Sequence, residues 1–376
     1  MDKSEAITLT QELVRKPSFT PDDAGCQPML IERLKKSGFS AHQQRFGEVD
    51  NVLLWHGEGE PGLLFLGHTD VVPVGELSAW DHDPLAGQIK NNILYGRGVA
   101  DMKGSIASMV VAMERFVAEH PQHPGKIGLL LTSDEEGPAQ DGIRKMMPWV
   151  AQHHDFAYCL VGEPSSSDWV GDTVRSGRRG SLHVYITIHG QQGHVAYPHL
   201  AENPVFNSAA AIHALSQFVW DEGNDDFPPT SFQISNAHAG TGAANIIPGE
   251  FKIQANFRYS PESNQASLEK QLRSILDQQG LNYDLDWQLS GEPFFCHDPE
   301  FRRVVDACIE AETGKKTVFN TAGGTSDGRF VAPFGIATLE LGPINKTIHQ
   351  VNECLLVDNL LVLERLYARI MRELLL

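Results

Sequence analysis

The 376-residue sequence predicts an α/β protein with a mainly parallel central sheet, interrupted by a ferredoxin-like α+β domain. Three observations carry this prediction. Short apolar runs alternate with amphipathic segments up to about residue 180, period-two alternation takes over from Ser181, and the first texture returns after Pro293. In order, the N-terminal residues 1–13 and residues 29–38 read as amphipathic helices, and residues 51–55 and 63–66 as strands. Ile106, Met109, Val110, Met113 and Phe116 recur at helical spacing over 105–120, followed by buried strands at 127–131 and 157–161. From Ser181 the order is strand 181–190, helix 204–219, strands 230–238 and 249–260, helix 264–279 and strand 283–290, a βαββαβ pattern. Strands at 317–319 and 337–341 and a closing helix from Val357 complete the chain. The expected division is therefore 1–180 and 293–376 as two parts of one domain, with 181–292 inserted between them.

Composition narrows the class of function. Hydrophobic residues at 41% describe an ordinary globular chain. A formal charge of −18 argues against nucleic acid or an anionic membrane as partner, because both repel an acidic surface. No stretch approaches the roughly 20 apolar residues of a membrane span, and the N-terminal residues lack the apolar core of a signal peptide. The five cysteines are widely spaced and form no CxxC pair, which together with the missing leader leads us to expect a cytoplasmic protein.

Several strand-like runs end in potential metal ligands. The run 127–131 leads into Thr-Ser-Asp134-Glu135-Glu136-Gly, three adjacent carboxylates that repel one another unless something positive sits between them. The run 63–67 ends in His68-Thr-Asp70, residues 95–101 end in Asp101, and residues 159–163 end in Glu163. Parallel strands align their C-termini along one edge, so these segments would converge on one crevice. Taken singly, each acid reads as a turn or helix cap, and His68 as a core histidine. Taken together, His68, Asp101, Glu136, Glu163 and His349 exceed the needs of one tetrahedral ion and suit two zinc ions sharing a carboxylate and a water. The four positive charges of two ions would balance three carboxylates and a hydroxide, making burial tolerable. Asp70 would hold the far nitrogen of the His68 ring. Glu135 is left as general base, taking a proton from water and passing it to a leaving amine, and Asp134 as structural.

With these residues placed, the chain resembles the dinuclear zinc aminoacylase and carboxypeptidase family along its whole length. The likeness rests on GHTDVVP (67–73), GRGVADMKG (96–104), TSDEEG (132–137), VGEP (161–164), GRRGSL (177–182), GHVAYPHLAENP (193–204), GTSDGRF (324–330) and HQVNE (349–353). The resemblance implies a zinc-peptidase-like catalytic domain holding two Zn²⁺ per chain, with Co²⁺ able to substitute. It implies Asp101 as the shared ligand, His68 and Glu163 on one ion, Glu136 and His349 on the other, and Glu135 as base. It also implies a homodimer through the inserted domain, with His194 reaching the partner's site to stabilise an oxyanion; by itself, His194 reads as a surface histidine. The metal motifs alone would fit any family member, but the long motifs around His194 and Ser326 imply a small N-succinyl amino acid substrate, N-succinyl-L,L-diaminopimelate, cleaved to succinate and L,L-diaminopimelate in lysine and cell-wall precursor synthesis. Its carboxylates would need cations, for which Arg178 and Arg258 are candidates beside a reading as surface charge. The backbone at Gly324 and Thr325 is expected to shape the same pocket, and Asn245 to make a contact across the dimer.

Rival readings leave more unexplained. Gly324-Thr-Ser326-Asp-Gly328 matches the serine-hydrolase elbow, with Glu340 and His349 following in triad order, yet too little chain follows Ser326 for that fold. GRGVAD at 96–101 has Asp101 where a dinucleotide fingerprint needs its third glycine. A catalytically silent binding relative would lack a ligand or the base, and none is missing. A sister enzyme acting on another N-acyl amino acid, such as N-acetylornithine, would share the same metal chemistry.

Overall fold

The structure is a computed structural model and describes residues 5–376; residues 1–4 of the expected N-terminal helix lie outside the described residues. Its architecture follows from where the apolar runs go. Gly62–His68 and Lys126–Thr132 are buried at every position, as strands covered on both faces must be. They pair in parallel inside an eight-stranded sheet. The order is Ser40–Phe46, Val49–His56, Lys126–Thr132, Gly62–His68, Tyr158–Val161, Ala337–Glu340, Thr173–Arg175, Val318–Asn320. The run from Lys126–Thr132 to Ala337–Glu340 and the outermost pair are parallel. The first hairpin joins antiparallel, as do Ala337–Glu340 and Thr173–Arg175. Sequence reading missed Ser40–Phe46, because an edge strand with no buried position carries no apolar run.

Alternation along the central strands feeds two cores. Leu63 and Phe65 pack with Leu9, Leu30, Met109, Phe301 and Leu366, which come from helices Glu5–Val14, Cys26–Lys36, Gly104–Glu119, Pro299–Thr313 and Val357–Leu375. Leu64 and Leu66 point the other way, onto Met146 and Val150 of helix Ile143–His153. Helix Pro299–Thr313 shows how firmly its ends are set. The Asp298 carboxylate accepts from the Phe301 N–H, Pro299 opens the first turn, and Gly314 closes the last at φ 73°.

The chain divides into two units. The first comprises the chain up to Gly177 with Phe295–Asn320 and Ser326–Leu376, and the second Arg178–Phe294 with Thr321–Thr325. The second unit holds a fully antiparallel sheet in the order Ser231–Ala239, Glu250–Tyr259, Gly180–His189, Asn282–Gly291. One face of it, including Leu182, Val184, Ile186 and Ile188, packs on Leu215, Leu268 and Leu272 of helices Pro204–Gln217 and Gln265–Gln278. The opposite face is polar: Asn256 donates to Ser181 and Asn236 to Gln254. Strand, helix, strand, strand, helix, strand with this order is the ferredoxin-like arrangement.

Candidate metal centre

The parallel register brings the acids together. His68 ends its strand opposite Thr132, and Leu66 lies opposite Val161, so residues 134–136 and Glu163 leave the sheet at the edge where His68 stands. Asp101 arrives from the turn before helix Gly104–Glu119, and His349 from the loop between Ala337–Glu340 and Cys354–Leu356. His68 Nε2 lies 3.3 Å from Asp101 Oδ1 and 3.7 Å from Glu163 Oε1. His349 Nε2 lies 3.3 Å from Asp101 Oδ2 and 2.9 Å from Glu136 Oε1.

Two triplets of donors result, His68–Asp101–Glu163 and Asp101–Glu136–His349, each with its ligand atoms within 4.8 Å of one another. Asp101 turns one oxygen to each imidazole and so belongs to both. Donors about 2.0–2.2 Å from a tetrahedral ion lie roughly 3.3–3.6 Å apart, and three of these four separations fall within about 0.1 Å of that interval. The nitrogen and oxygen donors are of the type zinc accepts. Five residues named from the sequence thus gather into two donor groups that share Asp101.

Electrostatics match this arrangement. Burial opposes charge on Asp101, yet hydrogen bonds with His349 and His68 hold its carboxyl well below the usual range. Burial likewise disfavours the His68 imidazolium, but Asp101 and the neighbouring acids raise that ring well above its ordinary value. Hydrogen bonds to Asp101 and Glu136 push His349 up to about 10. Burial, reinforced by the charges of Glu163, Asp327 and Glu136, lifts Glu135 well above the carboxylate range. A carboxyl tuned upward in this way suits proton transfer near neutrality.

Asp70 lies at the far nitrogen of His68 and also reaches the acidic turn. His68 Nδ1 meets the backbone carbonyl of Asp70 at 3.0 Å, while the nearer carboxylate oxygen stands at 3.6 Å. The side chain also accepts from the N–H groups of Glu135 and Glu136 at 3.4 and 3.1 Å. Asp70 therefore ties the His68 loop to the acidic turn. Asp134 accepts from the Gln140 and Asp141 N–H groups and closes that turn.

The substrate-contact candidates and His194 lie in the second unit. Arg178 is buried, with Nη1 donating to the Ala322 carbonyl at 2.8 Å beside Gly323, which sets aside its reading as surface charge. Gly324 and Thr325 follow in the same short segment. Arg258 is half-buried, and Asn245 is exposed on the loop after Gly240. His194 is exposed, its Nδ1 accepting from the Ala196 N–H at 3.0 Å. The Ser326 hydroxyl is buried and donates directly to Glu340, leaving no imidazole between serine and acid, so it is not a nucleophile elbow. Sequence reading gave no role to Glu353 or Arg97, which pair in the interior behind Asp101 at 2.7 Å; the one signal was an acid four residues beyond His349 inside a quoted motif.

Comparison with known proteins identifies the family. The model of peptidase family M20/M25/M40 matches residues 64–373. The chain is 50% identical over 373 residues to the succinyl-diaminopimelate desuccinylase of Thioalkalivibrio sulfidiphilus, covering 99% of each chain. It is 51% identical over 376 residues, all of both chains, to the protein of that name from Marinobacter nauticus. Among solved structures, an M20 family metallo-carboxypeptidase from Sulfolobus solfataricus superposes with a TM-score of 0.82 at 17% identity, covering 99% of each chain, a likeness of fold. With the family model spanning the donor residues and full-length relatives sharing half the sequence, the chain belongs to peptidase family M20/M25/M40.

Proposed function

We propose that the protein hydrolyses the amide bond of N-succinyl-L,L-diaminopimelate, releasing succinate and L,L-diaminopimelate for lysine and cell-wall precursor synthesis. The observation that carries this reading is the pair of donor triplets joined through Asp101, in a chain half identical over its full length to named desuccinylases. His68, Asp101 and Glu163 would hold one Zn²⁺ and Asp101, Glu136 and His349 the other, with Co²⁺ able to serve in the same donors. Bound zinc would polarise the succinyl carbonyl and bring the pKa of water to about 7.

The chain's own groups account for the proton traffic. Glu135 takes a proton from the attacking water as its oxygen joins the succinyl carbon, then delivers that proton to the amine nitrogen as the C–N bond breaks. Arg178 and Arg258 would hold substrate carboxylates, with the Gly324 and Thr325 backbone beside them and Asn245 adding a contact from the partner. The exposed apolar residues Val195, Tyr197, Leu200 and Phe206 in the second unit support a homodimer through that unit, and His194 on the same loop would donate to the oxyanion in the partner's site.

Zinc added back stepwise to chelated protein, with turnover of the succinylated substrate followed against N-acetyl and N-formyl amino acids, tests the reading. Activity rising through two equivalents and restricted to the succinyl compound is expected. Equal turnover of acetylated substrates would assign a different acyl group. Mixing Glu135→Gln and His194→Ala protomers should recover activity, and no recovery after confirmed subunit exchange would reject a role for His194 across the dimer.

A further inference from the structure

We infer that Glu353 is a positioning residue that sets Asp101 and His349 in a common register, so that its loss weakens metal binding at both positions. The inference rests on the metal-centre reading above and adds to it a residue that touches neither ion. Glu353 is fully buried. One carboxylate oxygen accepts from Arg97 Nη1 at 2.7 Å and the Gly98 N–H at 3.2 Å. The other accepts from the N–H groups of Ala100 at 3.0 Å and Asp101 at 3.3 Å. Its own carbonyl accepts from the Gly96 N–H at 3.0 Å. Both oxygens are thus engaged by the segment 96–101, Arg97 supplies the counter-charge, and Glu353 serves as its anchor and not as a ligand.

Glu353 also sits at the end of the loop that carries His349. Thr347 Oγ1 donates to the Cys354 carbonyl at 2.9 Å and accepts from the Cys354 N–H at 3.0 Å, drawing the loop shut immediately after Glu353. Within it His349 and Asn352 take φ of 60° and 62°, a region sparsely populated by residues other than glycine and held only where the surroundings impose it. Asp101 offers its two oxygens to His68 and His349 at 3.3 Å each, so a small turn of the Asp101 peptide favours one imidazole at the expense of the other. Glu353, bonded to that peptide and four residues from His349, constrains both sides of the shared carboxylate.

Glu353→Gln replaces one oxygen by an NH₂ group that must face donors, either Arg97 and Gly98 or Ala100 and Asp101. Zn²⁺ affinity, measured on the full-length protein by competition with a chromophoric chelator, should fall about 10–100-fold at both positions, the scale for groups that orient ligands. The visible absorption of the Co²⁺-loaded protein should change, since ligand geometry changes. A purely structural role would lower the unfolding temperature while leaving both affinities and the Co²⁺ spectrum as in the parent, and that result overturns the inference. Arg97→Lys, which keeps the charge but loses the fork, carries the test should Glu353→Gln fail to fold: weakened binding is expected, and unchanged binding overturns it. A parent protein that takes up fewer than two ions would sink the metal-centre reading itself, and this inference with it.

Discussion

Replacing Gly342 by alanine should damage the centre without touching a charged group. A Cβ at this position would lie 2.2 Å from the Glu163 carbonyl oxygen and 2.5 Å from that of Gly162. Carbon–oxygen contacts settle at about 3.3–3.6 Å, so the chain carrying Glu163 must retreat by roughly 1 Å. Both offending atoms are backbone, and the Gly342 N–H is held to Ser165 Oγ at 3.1 Å, so neither side yields cheaply. Glu163 Oε1 stands 3.7 Å from His68 Nε2, whereas a zinc ligand tolerates only about 0.2 Å of error. Overpacking of this kind costs about 1–3 kcal/mol of stability, and a displacement of about 1 Å at a reacting centre costs about 10²-fold in rate. We expect Gly342→Ala to fold with a lowered midpoint in urea, to load the first zinc position poorly at limiting metal, and to lose about 10²-fold in kcat/KM on the succinylated substrate. A variant with parental kcat/KM and two tightly held ions would show that Glu163 does not depend on this contact.

Three further outcomes are expected. Glu135→Gln should lower kcat by about 10²–10⁴-fold with metal content unchanged in elemental analysis; parental turnover would remove Glu135 from proton transfer. His349 is raised to about 10 by Asp101 and Glu136 and so carries a proton at pH 7 that metal must displace, and His68 is shifted in the same direction by Asp101 and the neighbouring acids. Zinc affinity should then rise with pH until His349 loses its proton near 10, and calorimetry in buffers of different ionisation enthalpy should detect up to about two protons released per chain; heats independent of buffer would contradict this. Lys103 is buried and donates to the carbonyls of Leu13 and Lys16 at 3.0 and 2.9 Å, so Lys103→Met loses two charge-assisted hydrogen bonds, the carbonyls keeping the Lys16 and Ser18 N–H groups, and should cost about 1–3 kcal/mol in urea unfolding, a change that an unaltered midpoint would refute.

How much was legible beforehand depended on the range of the interactions involved. The central strands declared themselves through runs buried on both faces, as in Gly62–His68, and the second unit through alternation such as Leu182, Val184, Ile186 and Ile188. His68, Glu136 and Glu163 were legible because parallel strands end at one edge, which turns separate strand termini into neighbours without any knowledge of distance, whereas Asp101 and His349 arrive from a turn and a loop. Ser40–Phe46 escaped notice because it buries nothing, and the grouping of Thr321–Thr325 with the second unit escaped because no local pattern records which side of a boundary a short loop packs on.

By itself, then, the sequence determined which residue types are available and on which elements they ride, since periodicity and turn chemistry are local properties of the chain. Tertiary structure alone decided that Asp101 divides its two oxygens between His68 and His349, that Asp70 grips the Glu135–Glu136 turn by its side chain, and that Glu353 is spent on the amides before Asp101. Each of those is a hydrogen bond or close contact between segments remote in sequence, whose partners are chosen by packing to within tenths of an ångström and leave no periodic trace in the order of residues.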